Sequence, residues 1–180
     1  MKYKRFPSLL VPNTALLRLV MMLLTTVSML LSGPLTADDE NSTIFLVRHA
    51  EKLLDVEDPG LSAAGKQRAK QLAVLLEDAE ITAIFSTDYQ RTRDTATPLA
   101  TAENLEITLY DPAEPEHLVE LIKNEQGRYL VVGHSNTTPD LVTRLGGNPG
   151  SAIDEKTEYN RLYVLTLDDA GKVTTVLLRY

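Results

Sequence analysis

Three short stretches of the chain gather residue types suited to handling a phosphoryl group. Thr43-Ile-Phe-Leu-Val-Arg48-His49 ends an uninterrupted apolar run, Ile44 to Val47, in an arginine and a histidine. Tyr129-Leu-Val-Val-Gly-His134-Ser135-Asn136 repeats the design, so two of the three histidines in the chain close apolar runs. Arg91 follows a third run, Ile81 to Phe85. Converging guanidiniums are always charged and favour an oxyanion, and the arginine fork fits phosphate well. Neutral imidazole can act as a nucleophile, and its ordinary pKa of ≈ 6.5 keeps a neutral fraction available. Backbone N–H groups at the start of a helix after His134 would add to the anion binding. Arg48, His49, Arg91 and His134 together describe a phosphate pocket that holds its own nucleophile.

Such a pocket needs strands that end at one place. Apolar runs rich in β-branched and aromatic residues suit central parallel strands covered on both faces. Open α/β sheets bind ligands just beyond the carboxyl ends of their strands, which is where Arg48, His49 and His134 fall. The spacing predicts a helix from Leu61-Ser62 to about Asp78, on Ala64, Ala69, Leu72, Ala73, Leu75 and Leu76. A strand over 81–85 and a helix over about 89–103 follow, with Arg91 and Thr95 on one helix face. A strand over 106–110, a turn at Asp111-Pro-Ala-Glu-Pro115 and an amphipathic helix over 116–124 lead to the second histidine strand, 129–133. A helix from about Thr137 to Leu145 comes next. Segments 161–167 and 173–179, joined by Asp168-Asp-Ala-Gly171, read as a β-hairpin. The predicted fold is α/β: a three-layer sandwich whose mostly parallel central sheet is flanked by helices and closed by a C-terminal β-hairpin.

The first 37 residues read as an export signal outside this fold. Lys2, Lys4, Arg5 and Arg18 make a basic start, Leu19 to Leu31 is uncharged and apolar, and Leu35-Thr36-Ala37 suits cleavage. An uncleaved anchor competes with cleavage, but the apolar stretch falls short of the ~20 residues of a membrane span. The expected destination is the periplasm or the exterior, with no stable membrane insertion after cleavage. Residues 38–180 hold 14 basic against 25 acidic residues, a net charge of −11. That balance excludes the basic patches on which nucleic-acid binding rests, and it requires any anion site to be a local positive pocket in a negative field. The chain has no cysteine, which rules out disulfides and thiolate metal sites. Oligomeric state is not legible.

Four segments, in order, carry a resemblance. Leu46-Val-Arg-His-Ala-Glu51 resembles the Arg-His-Gly/Ala signature of the histidine phosphatase superfamily (phosphoglycerate mutase-like). Leu61-Ser-Ala-Ala-Gly65 is similar to its Leu-Thr-x-x-Gly segment. Ser86-Thr-Asp-Tyr-Gln-Arg91-Thr-Arg-Asp-Thr95 is similar to its Ser-(Ser/Thr)-x-x-x-Arg-(Ala/Thr)-x-x-Thr segment, and Val132-Gly-His134-Ser135 to its second-histidine motif. The resemblance implies that His49 is a transiently phosphorylated nucleophile, and that Arg48, Arg91 and His134 clamp the phosphoryl oxygens, with Ser135 and Asn136 beside them. It implies a phosphomonoester hydrolase acting on a small or side-chain phosphate, with no metal and no cofactor. A phosphomutase and a non-catalytic phosphate-binding module are the alternatives.

Family members commonly supply an acid for the leaving oxygen from the segment between the arginine motif and the second histidine. That segment holds Asp111, Glu114 and Glu116 here, and Glu114, in a turn flanked by Pro112 and Pro115, is the first choice. Blander readings stand beside these. Glu51 and Lys52 border the pocket or form a solvated ion pair; Lys66, Arg68 and Lys70 read as a wet helix face; His117 reads as solvated. The segments Leu53–Gly60, Asp111–Glu116 and Gly146–Glu158 are the loops expected over the pocket.

Overall fold

The computed structural model describes residues 41–55 and 57–180; the expected export signal over residues 1–37 lies outside the described residues. Ten elements follow the predicted order: β1 (Ser42–Arg48), α1 (Ala63–Leu75), β2 (Ala83–Ser86), α2 (Gln90–Glu103), β3 (Ile107–Leu109), α3 (Glu116–Asn124), β4 (Arg128–Gly133), α4 (Thr137–Arg144), β5 (Arg161–Leu167) and β6 (Val173–Arg179). They build one six-stranded sheet in the order β3-β2-β4-β1-β5-β6. Strands β1 to β4 are parallel, whereas β1–β5 and β5–β6 pair antiparallel, so the predicted mixed sheet and terminal hairpin are both present.

Alternation along the strands divides the core into two layers. Ile44 and Leu46 of β1, with Tyr129 and Val131 of β4, pack toward Leu118 and Ile122 of α3 and Leu141 and Val142 of α4. Val47, Leu130 and Val132 face the opposite way, onto Leu72 and Leu76 at α1 and Ala96 and Leu99 of α2. Helices on both faces leave β1 and β4 no polar side, which is why their sequences run apolar without alternation.

Helix ends refine the sequence reading. Ser62 caps α1, accepting from the Gly65 N–H at 3.1 Å. Tyr89, at the start of α2, offers no side-chain cap; the Asp58 carboxylate accepts from the Gln90 N–H instead, at 3.1 Å, and ties the 52–60 loop to that helix. Helix α1 ends at Leu75, three residues before the expected stop, in a turn where the Leu76 N–H reaches back to Leu72. Among the described residues no helix is long and apolar enough to cross a membrane.

Candidate active site

β1 and β4 are neighbours in register, Arg48 opposite Gly133, and the His49 N–H continues the ladder to the Gly133 carbonyl at 2.9 Å. Equivalent strand ends therefore place His49 and His134 side by side, ring centroids 5.5 Å apart. Arg91 comes from the first turn of α2. Its guanidinium lies 4.5 Å from the Tyr89 ring, and the Tyr89 ring stands edge-on to His134 at 5.0 Å. These groups open onto a cavity of about 500 Å³ lined by His49, Lys52, Tyr89, Arg91, His134 and the 135–137 turn, with Pro112 and Glu155 at its border. Ser135 and Asn136 line this cavity just ahead of α4, whose initial N–H groups have no intrahelical acceptor.

His49 is 3% exposed, and its Nδ1 lies 2.8 Å from the Ala50 carbonyl. A carbonyl only accepts, so Nδ1 carries the proton and Nε2 keeps its lone pair. Burial, then the positive charges of Arg48 and Arg91, lower its pKa to about 3, so the ring is neutral at pH 7. The Ala50 peptide is itself fixed, because the Ala50 N–H donates to Thr95 Oγ1 at 3.0 Å. Thr95 in turn donates to the Arg91 carbonyl at 2.7 Å. One threonine therefore couples the helix carrying Arg91 to the loop that orients His49.

His134 is held through its other nitrogen. Its Nε2 lies 3.0 Å from Thr87 Oγ1, and Thr87 donates to Thr92, whose hydroxyl donates to the carbonyls of Thr87 and Tyr89. With the Thr87 proton spent on Thr92, Nε2–H must be the donor to Thr87. Burial and the Arg91 charge bring the His134 pKa down to about 4. Donation from Nδ1 to an anion then requires proton uptake, which the negative charge of a bound anion favours.

Arg48 and Glu114 sit differently from the sequence expectation. Arg48 does not line the cavity: it is 2% exposed, and its Nη groups donate to the carbonyls of Asp154, Glu155 and Glu158 at 3.3, 2.8 and 3.0 Å. Its guanidinium stacks 4.0 Å from the Tyr159 ring, and its Nε is buried without a partner. Glu114 is not brought to the histidines. The turn offers Pro112 to their cavity, while Asp111 and Glu114 line a separate cavity with Tyr110 and His117. Glu116 is ion-paired with Arg144 on the surface. A proline on each side fixes the turn, and it fixes Glu114 on the α3 side.

Of the two readings offered for Glu51 and Lys52, the pocket-bordering one holds for Lys52, which lines the cavity, while Glu51 takes a bidentate bond from Arg68 at 2.7–3.0 Å. Sequence reasoning missed other contributors. Arg68 is accordingly not a wet helix residue, since it also donates to the Tyr180 carbonyl. Tyr159 and Glu155 lie in the 146–158 region and beside it, and no periodic signal marks them. Among the described residues no group of three or more histidine and acidic side chains could hold a metal ion.

Residues 44–112 match the histidine phosphatase superfamily (branch 1), a stretch that takes in Arg48, His49 and Arg91. Phosphoserine phosphatase 1 from Hydrogenobacter thermophilus is 39% identical over 75 residues, 38% of this chain and only 36% of that protein. The chain thus matches about a third of that relative's length. Among solved structures, the protein histidine phosphatase SixA complexed with tungstate superposes with a TM-score of 0.61 at 20% identity, covering 76% of this chain and 96% of the other. Phosphoserine phosphatase from Entamoeba histolytica, in complex with 3-phosphoglyceric acid, gives 0.60 at 14% identity, covering 77% and 97%. At these identities the likeness is one of fold. Sequence motifs, family match and fold point the same way: over residues 44–112 the chain is similar to the histidine phosphatase superfamily (branch 1), and its fold is the one those phosphatases share.

Proposed function

We propose that the protein hydrolyses phosphomonoesters through a phosphohistidine at His49, without a metal. The observation that carries this reading is the tautomer of His49: Nδ1–H is spent on Ala50, so the Nε2 lone pair of a neutral ring is left for phosphorus. Arg91 and Lys52 line the same cavity and supply the positive charge that a metal would otherwise bring to the phosphoryl oxygens, and His134 adds to it once a bound anion has drawn a proton onto it. Arg48 contributes its charge from below the cavity wall. Phosphorus passes to Nε2 as the ester oxygen departs; water then attacks phosphorus, the P–N bond breaks and inorganic phosphate leaves.

A cavity of about 500 Å³ fits a small phosphorylated molecule or a single phosphorylated side chain. The phosphatases among the relatives support the reaction class. The basic start and apolar stretch of residues 1–37 support an exported enzyme, and the net charge of −7 argues against nucleic acid.

Hydrolysis of p-nitrophenyl phosphate by the full chain, with chelator present, tests the reading. Turnover is expected to persist in chelator, to vanish in His49→Ala and to fall on the order of 10²–10³ in Arg91→Ala. Activity in His49→Ala equal to that of the unaltered protein would refute it.

A further inference from the structure

The alcohol oxygen that leaves phosphorus needs a proton, and the turn bearing Glu114 does not bring a carboxyl group to the cavity. Among the described residues Glu155 is the one acidic residue that lines it. The neighbouring carboxylates have other engagements. Glu51 is bound by Arg68, Asp58 caps α2 and faces Arg91 at 3.7 Å, and Asp154 accepts from Lys156 N–H and Thr157. Glu158 is gripped by Arg161 and Arg179, and those bonds hold its carboxyl down at about 2. The Glu155 carboxylate instead lines the cavity, with the charge of Arg48 near it.

The loop around Glu155 is built to hold a position. Arg48 grips the carbonyls of residues 154, 155 and 158 from beneath, and its bond to Glu155 is the shortest of the three at 2.8 Å. Arg161, 4% exposed, pins the loop from behind through Ser151, Ala152 and Glu158. Two buried guanidiniums spent on backbone carbonyls are costly unless every donor finds a fixed acceptor. They make residue 155 a rigid point on the wall of the cavity that His49 also lines. A side chain presented in this way is suited to act on a reacting group.

We propose that Glu155 is the proton donor to the leaving oxygen, and that Arg48 positions it. The proposal rests on the phosphatase reading given above. As the bond from phosphorus to His49 Nε2 forms, the bond from phosphorus to the ester oxygen breaks. That oxygen keeps the electron pair and takes the proton of the Glu155 carboxyl group, leaving as the alcohol. Water then attacks phosphorus and gives a proton to the Glu155 carboxylate while the P–N bond breaks, which returns both side chains to their starting states.

The test compares kcat/KM for p-nitrophenyl phosphate, whose leaving group spreads its charge and needs no proton, with that for an alkyl ester, glycerol phosphate. Glu155→Gln is expected to lower kcat/KM for the alkyl ester by about 10²–10³, and to lower kcat for the aryl ester by a smaller factor, because discharge of the phosphohistidine also uses Glu155. Glu155→Asp is expected to recover part of the loss, and Glu114→Gln to change neither substrate. A urea unfolding midpoint equal to that of the unaltered protein shows that the variant is folded. Equal losses on both esters, or no loss on either, would overturn the proposal; so would an unaltered enzyme that turns over the aryl ester alone. Failure of the unaltered protein on both esters would overturn the phosphatase reading and this proposal with it.

Discussion

Acid should destabilise this fold through His49 before it does so through the carboxylates. The folded protein keeps His49 neutral, its pKa near 3, whereas the unfolded chain titrates at the ordinary 6.5. Between those values the unfolded chain binds a proton that the fold excludes, so stability is fully present above 6.5 and is lost as pH falls toward 3. Each pH unit inside the window is worth about 1.4 kcal/mol, so a step from pH 7 to pH 5 removes about 2 kcal/mol through this one ring. His134, lowered to about 4 but partly exposed to solvent, adds a screened share of the same sign. Urea denaturation of the unaltered protein and of His49→Gln at pH 7, 6 and 5 is the assay. With a urea slope of about 2 kcal/mol/M, the unaltered midpoint falls about 1 M further than that of the variant, which has nothing to titrate there. Inorganic phosphate, by drawing a proton onto His134 in the pocket, should recover part of the lost stability. Parallel pH curves for the two proteins would refute the claim that His49 is buried as a neutral ring.

Thr95→Val removes the acceptor of the Ala50 N–H and the bond to the Arg91 carbonyl; leaving that N–H buried without a partner costs about 1–3 kcal/mol, and kcat is expected to fall with little change in substrate range, as read by chemical denaturation and steady-state kinetics. Gly65→Ala drives a methyl group into the Glu51 carbonyl oxygen, so α1 must move off the loop that follows His49; a stability loss of at least about 1–3 kcal/mol and lowered activity are expected, measured as a drop in Tm and in turnover.

The fold was legible because its signals are local and periodic. Buried parallel strands at 44–47 and 129–133 demand apolar runs, and the hairpin at 161–167 and 173–179 carries its own turn, Asp168–Gly171. His49, Arg91 and His134 were legible for a related reason: each closes a strand or opens the helix after one, so topology alone converges them. Arg48 and Glu114 were not. Nothing in the spacing says that the Arg48 Nη groups meet three carbonyls more than 100 residues away, or that the turn presents Pro112 rather than Glu114. Glu155 and Tyr159 act from an irregular loop whose shape is set by long-range bonds to Arg48 and Arg161, and no sequence period records those. Arg68 looked solvated because its partners, Glu51 and Tyr180, lie 17 and 112 residues away.

The central claim is that phosphorus is carried on His49. Rapid quenching of the full chain with a ³²P-labelled phosphomonoester, followed by peptide mapping, measures it directly. The account predicts an acid-labile, alkali-stable phosphoryl group on the peptide holding His49, formed and discharged at rates that match turnover and absent in His49→Ala. Steady hydrolysis with no label on that peptide would contradict it.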